Sequence, residues 1–598
     1  MLPINYILGL FLEKGKESVY QLYLRFWGIF TKKALKRNQK FNRMRKGAIC
    51  GWMLALVLLM GSFPGAAQRK KSKAKGPEKP KLVIGIVVDQ MRYDYLYRFW
   101  DKYSKDGFKR LIGEGFNFRN NHYNYVPTYT GPGHASIYTG TTPAMHGIVG
   151  NDWYNRTTGR NIYCAEDKTV QTVGSTSAAG QMSPVNMLSS TITDELKLAT
   201  NQKSKVIGLS LKDRGSILPA GHAADAAYWF DGSNGNMISS TYYMKELPAW
   251  VQAFNNRKLP DQYLSQPWNT LLPIAQYTES AADDQAFEGT FTGEAKPVFP
   301  HNIPAYRGKT FDLLRSIPAG NTYTKEFAKE AILAENLGKN TVTDFLAMSF
   351  STPDYIGHQF GPNSIEVEDN YLRLDQDLAD FLKFLDKQLG KENVLIFLTA
   401  DHGAAHNPTY LQQLRIPAGN TNNGIMTDSL KKHLNQKFGA AEWVSSFMNQ
   451  QIYFNHAVIE SKKANLAELQ EETARFMQRF PGILRSFTAD ALMKSHWSKG
   501  VGMLVENGYM PYRSGDVMVT YQPGWYENYG RGMAKGTTHG SPWAYDTHIP
   551  LLWYGWQIPA GESTVHTEII DIAPSLAAWL RIQEPNGTTG RALLEHVR

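Results

Sequence analysis

Three separated stretches of this 598-residue chain share one design: a largely apolar run, continuous and β-branched in the first, followed closely by acidic or imidazole residues. They read "KLVIGIVVD" from Lys81 to Asp89, "TVTDFLAMSFSTPDYIGH" from Thr341 to His358, and "NVLIFLTADHG" from Asn393 to Gly403. A strand with one wet face alternates apolar and polar residues. A continuous apolar run belongs to a strand buried on both faces, which requires helices on both sides of a parallel sheet. Strands are therefore expected at Lys81–Val88, around Phe345–Phe350 and at Val394–Leu398. In an open α/β sheet ligands collect beyond the carboxyl ends of the strands. The expected fold is α/β, a central, mostly parallel sheet sandwiched by helices, with polar groups delivered to one edge.

Those groups are Asp89, Asp354 with His358, and Asp401 with His402; a later loop, "THGSPWAYDTHIP", adds His539. Asp354 and His358 are four apart and share a face if the loop turns helically, although a simple salt bridge has the same spacing. Asp401 and His402 at a buried strand end need partners for charge and hydrogen bonds. The set offers oxygen and nitrogen ligands and no thiolate. Such ligands suit zinc, with manganese or another divalent ion as alternatives. Six of them are enough for two metals, and a dinuclear site can clamp both the attacking and the leaving oxygen of an in-line phosphoryl displacement.

Upstream, "YVPTYTGPGHASIYTG" places Thr130 before Gly-Pro-Gly and a short helical stretch. Threonine is a common helix N-cap. The same geometry makes an anion site, because a helix start exposes N–H groups and a positive dipole end, and a hydroxyl there is placed to attack a bound anion.

In order, "VVDQMR", "TYTGPGHASIYTG", "HGIVGNDWY", "LKDR", "PDYIGH", "TADHG" and "THGSPWAYDTHIPLL" resemble the alkaline phosphatase superfamily, specifically its threonine-nucleophile phosphomonoesterases. The resemblance implies a secreted, zinc-dependent phosphomonoesterase on an alkaline phosphatase-like sheet with cap insertions. It implies one Zn²⁺ on Asp354, His358 and His539, and a second on Asp89, Asp401 and His402, with Thr130 as nucleophile and ligand. Asn151, Lys212 and Arg214 would contact the phosphoryl oxygens. Taken alone, Lys212-Asp213-Arg214 is a solvated charge run and Asn151 a turn residue. Formylglycine sulfatases are set aside because threonine cannot yield that aldehyde. Two alternatives stay open: a nucleotide pyrophosphatase/phosphodiesterase of the same superfamily, and a catalytically silent binding module.

Residues 1–67 carry 11 Lys/Arg against 2 Asp/Glu, nearly all of the net charge of +10, so the remaining chain has no basic surface for nucleic acid. The stretch "MRKGAICGWMLALVLLMGSFPGAAQ" has the basic start, apolar middle and small residues of a signal peptide over 44–67, with cleavage near Ala67. Residues 1–43 would then precede the true start, 68–80 form a basic linker, and 81–598 the catalytic domain; an uncleaved membrane anchor is the alternative. Cys164 would be the single cysteine of the exported chain, which excludes an intramolecular disulfide. Insertions over the active edge are expected at about 223–338 and 405–530. The expected product is a periplasmic or secreted monomer with no membrane span, acting on small-molecule phosphate esters.

Overall fold

A computed structural model describes residues 77–528 and 534–594. The segments read as upstream sequence and signal peptide lie outside the described residues. The linker reading reaches them only at its end, where it needs correction: Pro80 is buried, and Pro77 accepts a hydrogen bond from Trp556 Nε1 at 2.7 Å.

Ten strands form one sheet. In chain order they are β1 Leu82–Val88, β2 Phe116–Phe118, β3 Thr172–Val173, β4 Val206–Ser210, β5 Ala226–Asp231, β6 Asn236–Ser240, β7 Asp344–Phe350, β8 Val394–Thr399, β9 Leu551–Gly555 and β10 Gly561–Ser563. Their spatial order is β10-β2-β9-β8-β1-β7-β4-β5-β6-β3. The centre, β8-β1-β7-β4-β5, is parallel throughout, and antiparallel strands flank it. Every residue of β1, β7 and β8 is buried, as their predominantly apolar runs lead one to expect. Burying each Leu, Ile, Val or Phe contributes about 1.5–3 kcal/mol, so these three strands anchor the core.

Five helices position the site: α1 Thr130–Thr139, α2 Asp213–Ala220, α3 Thr352–Phe360, α4 Ile365–Gln388 and α5 Ile572–Leu580. Helices α1, α2 and α5 pack together over one face, while α4 packs with Ala319–Ala334 and Phe108–Glu114 over the other. Gly85 in mid-β1 lets α1 come close. A Cβ there would stand 2.2 Å from the Tyr138 hydroxyl, which reaches the sheet from α1. The start of α1 is thereby held over the carboxyl end of β1.

The sheet extends further than the sequence suggested. β5 and β6 fall inside the stretch expected to be an insertion from about 223, and β5 pairs in parallel with β4. Their Tyr, Trp and Asn content hid them, because a strand near the sheet's edge need not be a pure aliphatic run. The irregular segment begins after Ser240. Within 405–530, the strands Val444–Met448, Gln451–Phe454, Ile483–Thr488 and Val517–Tyr521 form a second sheet. Leu430, Trp443, Leu469, Met477 and Val519 give it a core of its own. Its hairpin reaches the main body through Gln450 Nε2, which donates to Gly540 O at 2.8 Å beside His539.

One buried histidine sets an acid limit. His146 closes the short helix Pro143–His146, its Nδ1 accepts from Ile148 N at 3.1 Å, and its Nε2 lies 2.9 Å from Ser136 Oγ. Burial, then the nearby Arg513 charge, lower its pKa to about 3. The unfolded chain takes up this proton near pH 6.5 and the folded chain only near pH 3, so stability is complete above 6.5 and falls between those values. The loss should be on the order of a few kcal/mol. Denaturation midpoints measured from pH 7 to 4 should fall less steeply for His146→Gln than for wild type; equal slopes would remove His146 as the cause.

Candidate active site

The chain turns sharply after each central strand, and those turns carry the ligands. Asp89 directly follows β1, and Gln90 comes next in the left-handed region at φ 65°, a costly conformation for a residue other than glycine. The turn aims Gln90 N at Asp401 Oδ1 (3.1 Å) and Gln90 Nε2 at Asp354 Oδ1 (2.6 Å). Gln90 thus ties the ends of β7 and β8 to that of β1. Asp354 and His358 share a face of α3, with His358 Nε2 3.1 Å from Asp354 Oδ1. Asp401 and His402 follow β8, and His539 arrives on the loop before β9.

The three histidines are oriented alike. Each Nδ1 donates to a backbone carbonyl: His358 to Thr537 O at 2.8 Å, His402 to Gly403 O at 2.9 Å, and His539 to Thr128 O at 2.7 Å. This fixes the tautomer with the proton on Nδ1 and turns each Nε2 lone pair into the site. His539 Nε2 is 3.7 Å from Asp354 Oδ1, and His402 Nε2 is 3.6 Å from both Asp89 Oδ1 and Asp401 Oδ2. Asp89 Oδ1 and Asp401 Oδ2 are buried with no hydrogen-bond donor among the described residues. Buried carboxylate oxygens left without donors are costly, and a cation relieves that cost.

Electrostatics agree. Burial, then the neighbouring Asp401, hold Asp89 well above the usual carboxylate range. Burial would also raise Asp354, but His358 and Lys212 outweigh it and hold that carboxyl well below. Burial lowers His402, and it lowers His539 further with His402 beside it, so both stay neutral with a free lone pair.

The donor atoms gather into two groups that fit divalent ions: Asp354, His358 and His539, and Asp89, Asp354 and His402. The first is the set the sequence indicated. The second has Asp89 and His402 of the expected set together with Asp354, while Asp401 Oδ2 lies 3.6 Å from His402 Nε2 and 3.3 Å from His134 Nδ1. His134, one turn along α1, donates from Nδ1 to Thr130 O at 2.9 Å and meets Ser349 Oγ with Nε2 at 2.9 Å. Gly133 permits this closeness, since a Cβ there would stand 2.3 Å from Asp401 O.

Thr130 is buried, and its hydroxyl lies 3.4 Å from His402 Nε2. The capping role is not what the structure shows. Tyr129 occupies the cap position without a capping bond from its own side chain, and Thr130 is the first helical residue of α1. Helical backbone angles aim the threonine side chain away from the N–H groups a cap would serve. Asn151 takes part of that duty, its Oδ1 accepting from Gly131 N at 2.7 Å. Lys212 Nζ donates to Asp89 Oδ2 at 2.7 Å and to Asp354 Oδ2 at 2.6 Å, bridging two ligand carboxylates. Arg214 Nη1 donates to Tyr163 Oη at 3.0 Å, and that hydroxyl donates in turn to Asp213 Oδ1. Gln90, His134 and Tyr163 went unnoticed in the sequence. Only their closeness along the chain to Asp89, Thr130 and Cys164 could have drawn attention to them.

A parallel α/β sheet that gathers carboxylates and oriented imidazoles around a buried hydroxyl at a helix start defines a metal-binding hydrolase. The family model "Type I phosphodiesterase / nucleotide pyrophosphatase" matches residues 83–542. The alkaline phosphatase PafA of Elizabethkingia meningoseptica is 46% identical over 91% of this chain and 98% of its own. A protein of Myroides odoratus named calcium-transporting ATPase is 49% identical over 87% of this chain and 95% of its own. The crystal structure of wild-type PafA superposes with a TM-score of 0.84 at 46% identity, covering 87% of this chain and 99% of that one. The chain belongs to this phosphodiesterase/nucleotide pyrophosphatase family, and within it to the alkaline phosphatases of the PafA type, which are phosphomonoester hydrolases. Among the described residues no helix is long and apolar enough to cross a membrane.

Proposed function

We propose that this alkaline phosphatase hydrolyses small-molecule phosphate monoesters outside the cytoplasm through a phosphothreonine at Thr130, with two zinc ions. The three carbonyl-anchored histidines beside Asp89 Oδ1 and Asp401 Oδ2 support this reading best, because imidazole lone pairs then gather around buried carboxylate oxygens that have no donor among the described residues. Asp354, His358 and His539 would hold one ion, and Asp89, Asp401 and His402 the other. Bound there, zinc supplies positive charge to the phosphoryl centre and makes nearby hydroxyl groups more acidic.

The chain's residues do the rest. Thr130 Oγ1 attacks phosphorus and loses its proton, the ester P–O bond breaks in line, and the departing alcohol takes up a proton. Water then attacks the phosphothreonine, releasing inorganic phosphate and restoring the hydroxyl. Asn151 positions the phosphoryl group from the side where it already holds Gly131. Lys212, which bridges Asp89 and Asp354, would face the phosphoryl oxygens beside Arg214 if those carboxylates held metal ions instead. Export rests on the leader-like sequence of 44–67.

Metal removal tests the cofactor. Exhaustive chelation should abolish aryl phosphate hydrolysis, and titration with zinc should restore it with an end point at about two equivalents per chain. A single-equivalent end point, or full activity after chelation, would sink the two-zinc reading.

A further inference from the structure

Of the six proposed ligands, five have side chains at most 5% exposed, whereas that of His358 is 39% exposed. The way out of the site therefore passes His358. The same half-buried face of α3 carries Tyr355 and Gln359, and both line a cavity of about 620 Å³ whose other walls come from residues 290–316. Phe291 and Tyr306 stand in those walls, their ring centroids 6.1 Å apart and the planes inclined by 19°. Tyr355 joins the cavity to the catalytic groups, since Lys212 Nζ lies 5.0 Å from its ring centroid. Gln359 Nε2 is buried and has no acceptor among the described residues.

We infer that this cavity receives the leaving group of the ester, and that it selects a planar heteroaromatic alcohol such as a nucleoside. The inference rests on the proposed phosphatase reaction at the same centre. An ester with its phosphoryl group at Thr130 and its departing oxygen near Asp354, His358 and His539 must send the rest of the alcohol past His358 into this space. Aromatic walls favour a flat ring by stacking. The orphaned Gln359 amide asks for an acceptor, which a heteroaromatic edge supplies and a hydrocarbon does not. A simple sugar or glycerol ester would leave the aromatic walls uncovered.

Adenosine 5′-monophosphate and ribose 5-phosphate test this, because both are primary alkyl esters and differ by the base. The metal-loaded enzyme should show kcat/KM at least about fivefold higher for the nucleotide, a stacking-sized preference. Tyr355→Ala and Gln359→Leu should each reduce that ratio toward one at unchanged metal content. Tyr306→Ala, which lies off α3, should do the same if the α3 variants misfold. Adenosine carries no phosphoryl group, so calorimetry with metal-loaded Thr130→Ala reads the cavity independently of the chemistry: it should bind, and ribose should not. Equal kcat/KM for the two esters, or no adenosine binding, would overturn the inference while leaving the phosphatase reading intact. Adenosine binding without phosphate release from either ester by wild type would instead overturn the phosphatase reading and keep the cavity's ligand class.

Discussion

Thr130→Ala should lower phosphate monoester turnover by at least about three decades, because it removes the atom that forms the covalent bond. Metal content should match that of wild type, since the remaining carboxylates and imidazoles are unchanged. Thr130→Ser keeps a hydroxyl at the same helix start and should retain much of the activity. Acid-quenched wild-type reactions should yield a phosphorylated peptide containing Thr130. The proposed role rests on its burial and its 3.4 Å approach to His402 Nε2, with no capping bond to serve. Phosphate recovered on another residue, or an active alanine variant, would leave Thr130 with packing alone.

Joint replacement of Lys212 and Arg214 by alanine should lower monoester kcat/KM by roughly two to four decades and diester hydrolysis much less. A monoester dianion carries more charge on its non-bridging oxygens than a diester does. Hydrogen bonds to charged groups contribute about 1.5–3 kcal/mol each, about 1.4 kcal/mol is a factor of ten, and neighbouring effects rarely add fully. Lys212 is buried against Asp89 and Asp354, which raise its pKa against the opposing effect of burial, so it stays charged. Tyr163 and Asp213 hold the Arg214 fork in place. Equal loss of both activities with the metals in place would show that the pair is no monoester selector. The phosphodiesterase reading would then move ahead.

Much of this molecule is legible in its residues. The apolar runs ending at Asp89, Asp354 and Asp401 specify buried parallel strands that deliver carboxylates to one edge, because only strands covered on both faces tolerate such runs. The i, i+4 spacing of Asp354 and His358 put both on one face of α3, and together with His539 they form the first donor group. Other features depend on contacts between residues hundreds of positions apart. The carbonyls of Thr128, Gly403 and Thr537 orient the histidines, and backbone acceptors leave no mark in a sequence. Thr130 read as a helix cap from its residue type, and only its place as the first residue of α1 showed that it does not occupy the cap position. The aromatic strand β5 and the more polar β6 passed for an insertion, since pairing of β5 with β4 and of β6 with β5 depends on tertiary neighbours as well as local composition. Strand identity and ligand chemistry are local properties that the sequence by itself determined. Tautomer, approach and exit route arise where distant segments meet, and only the tertiary structure decided them.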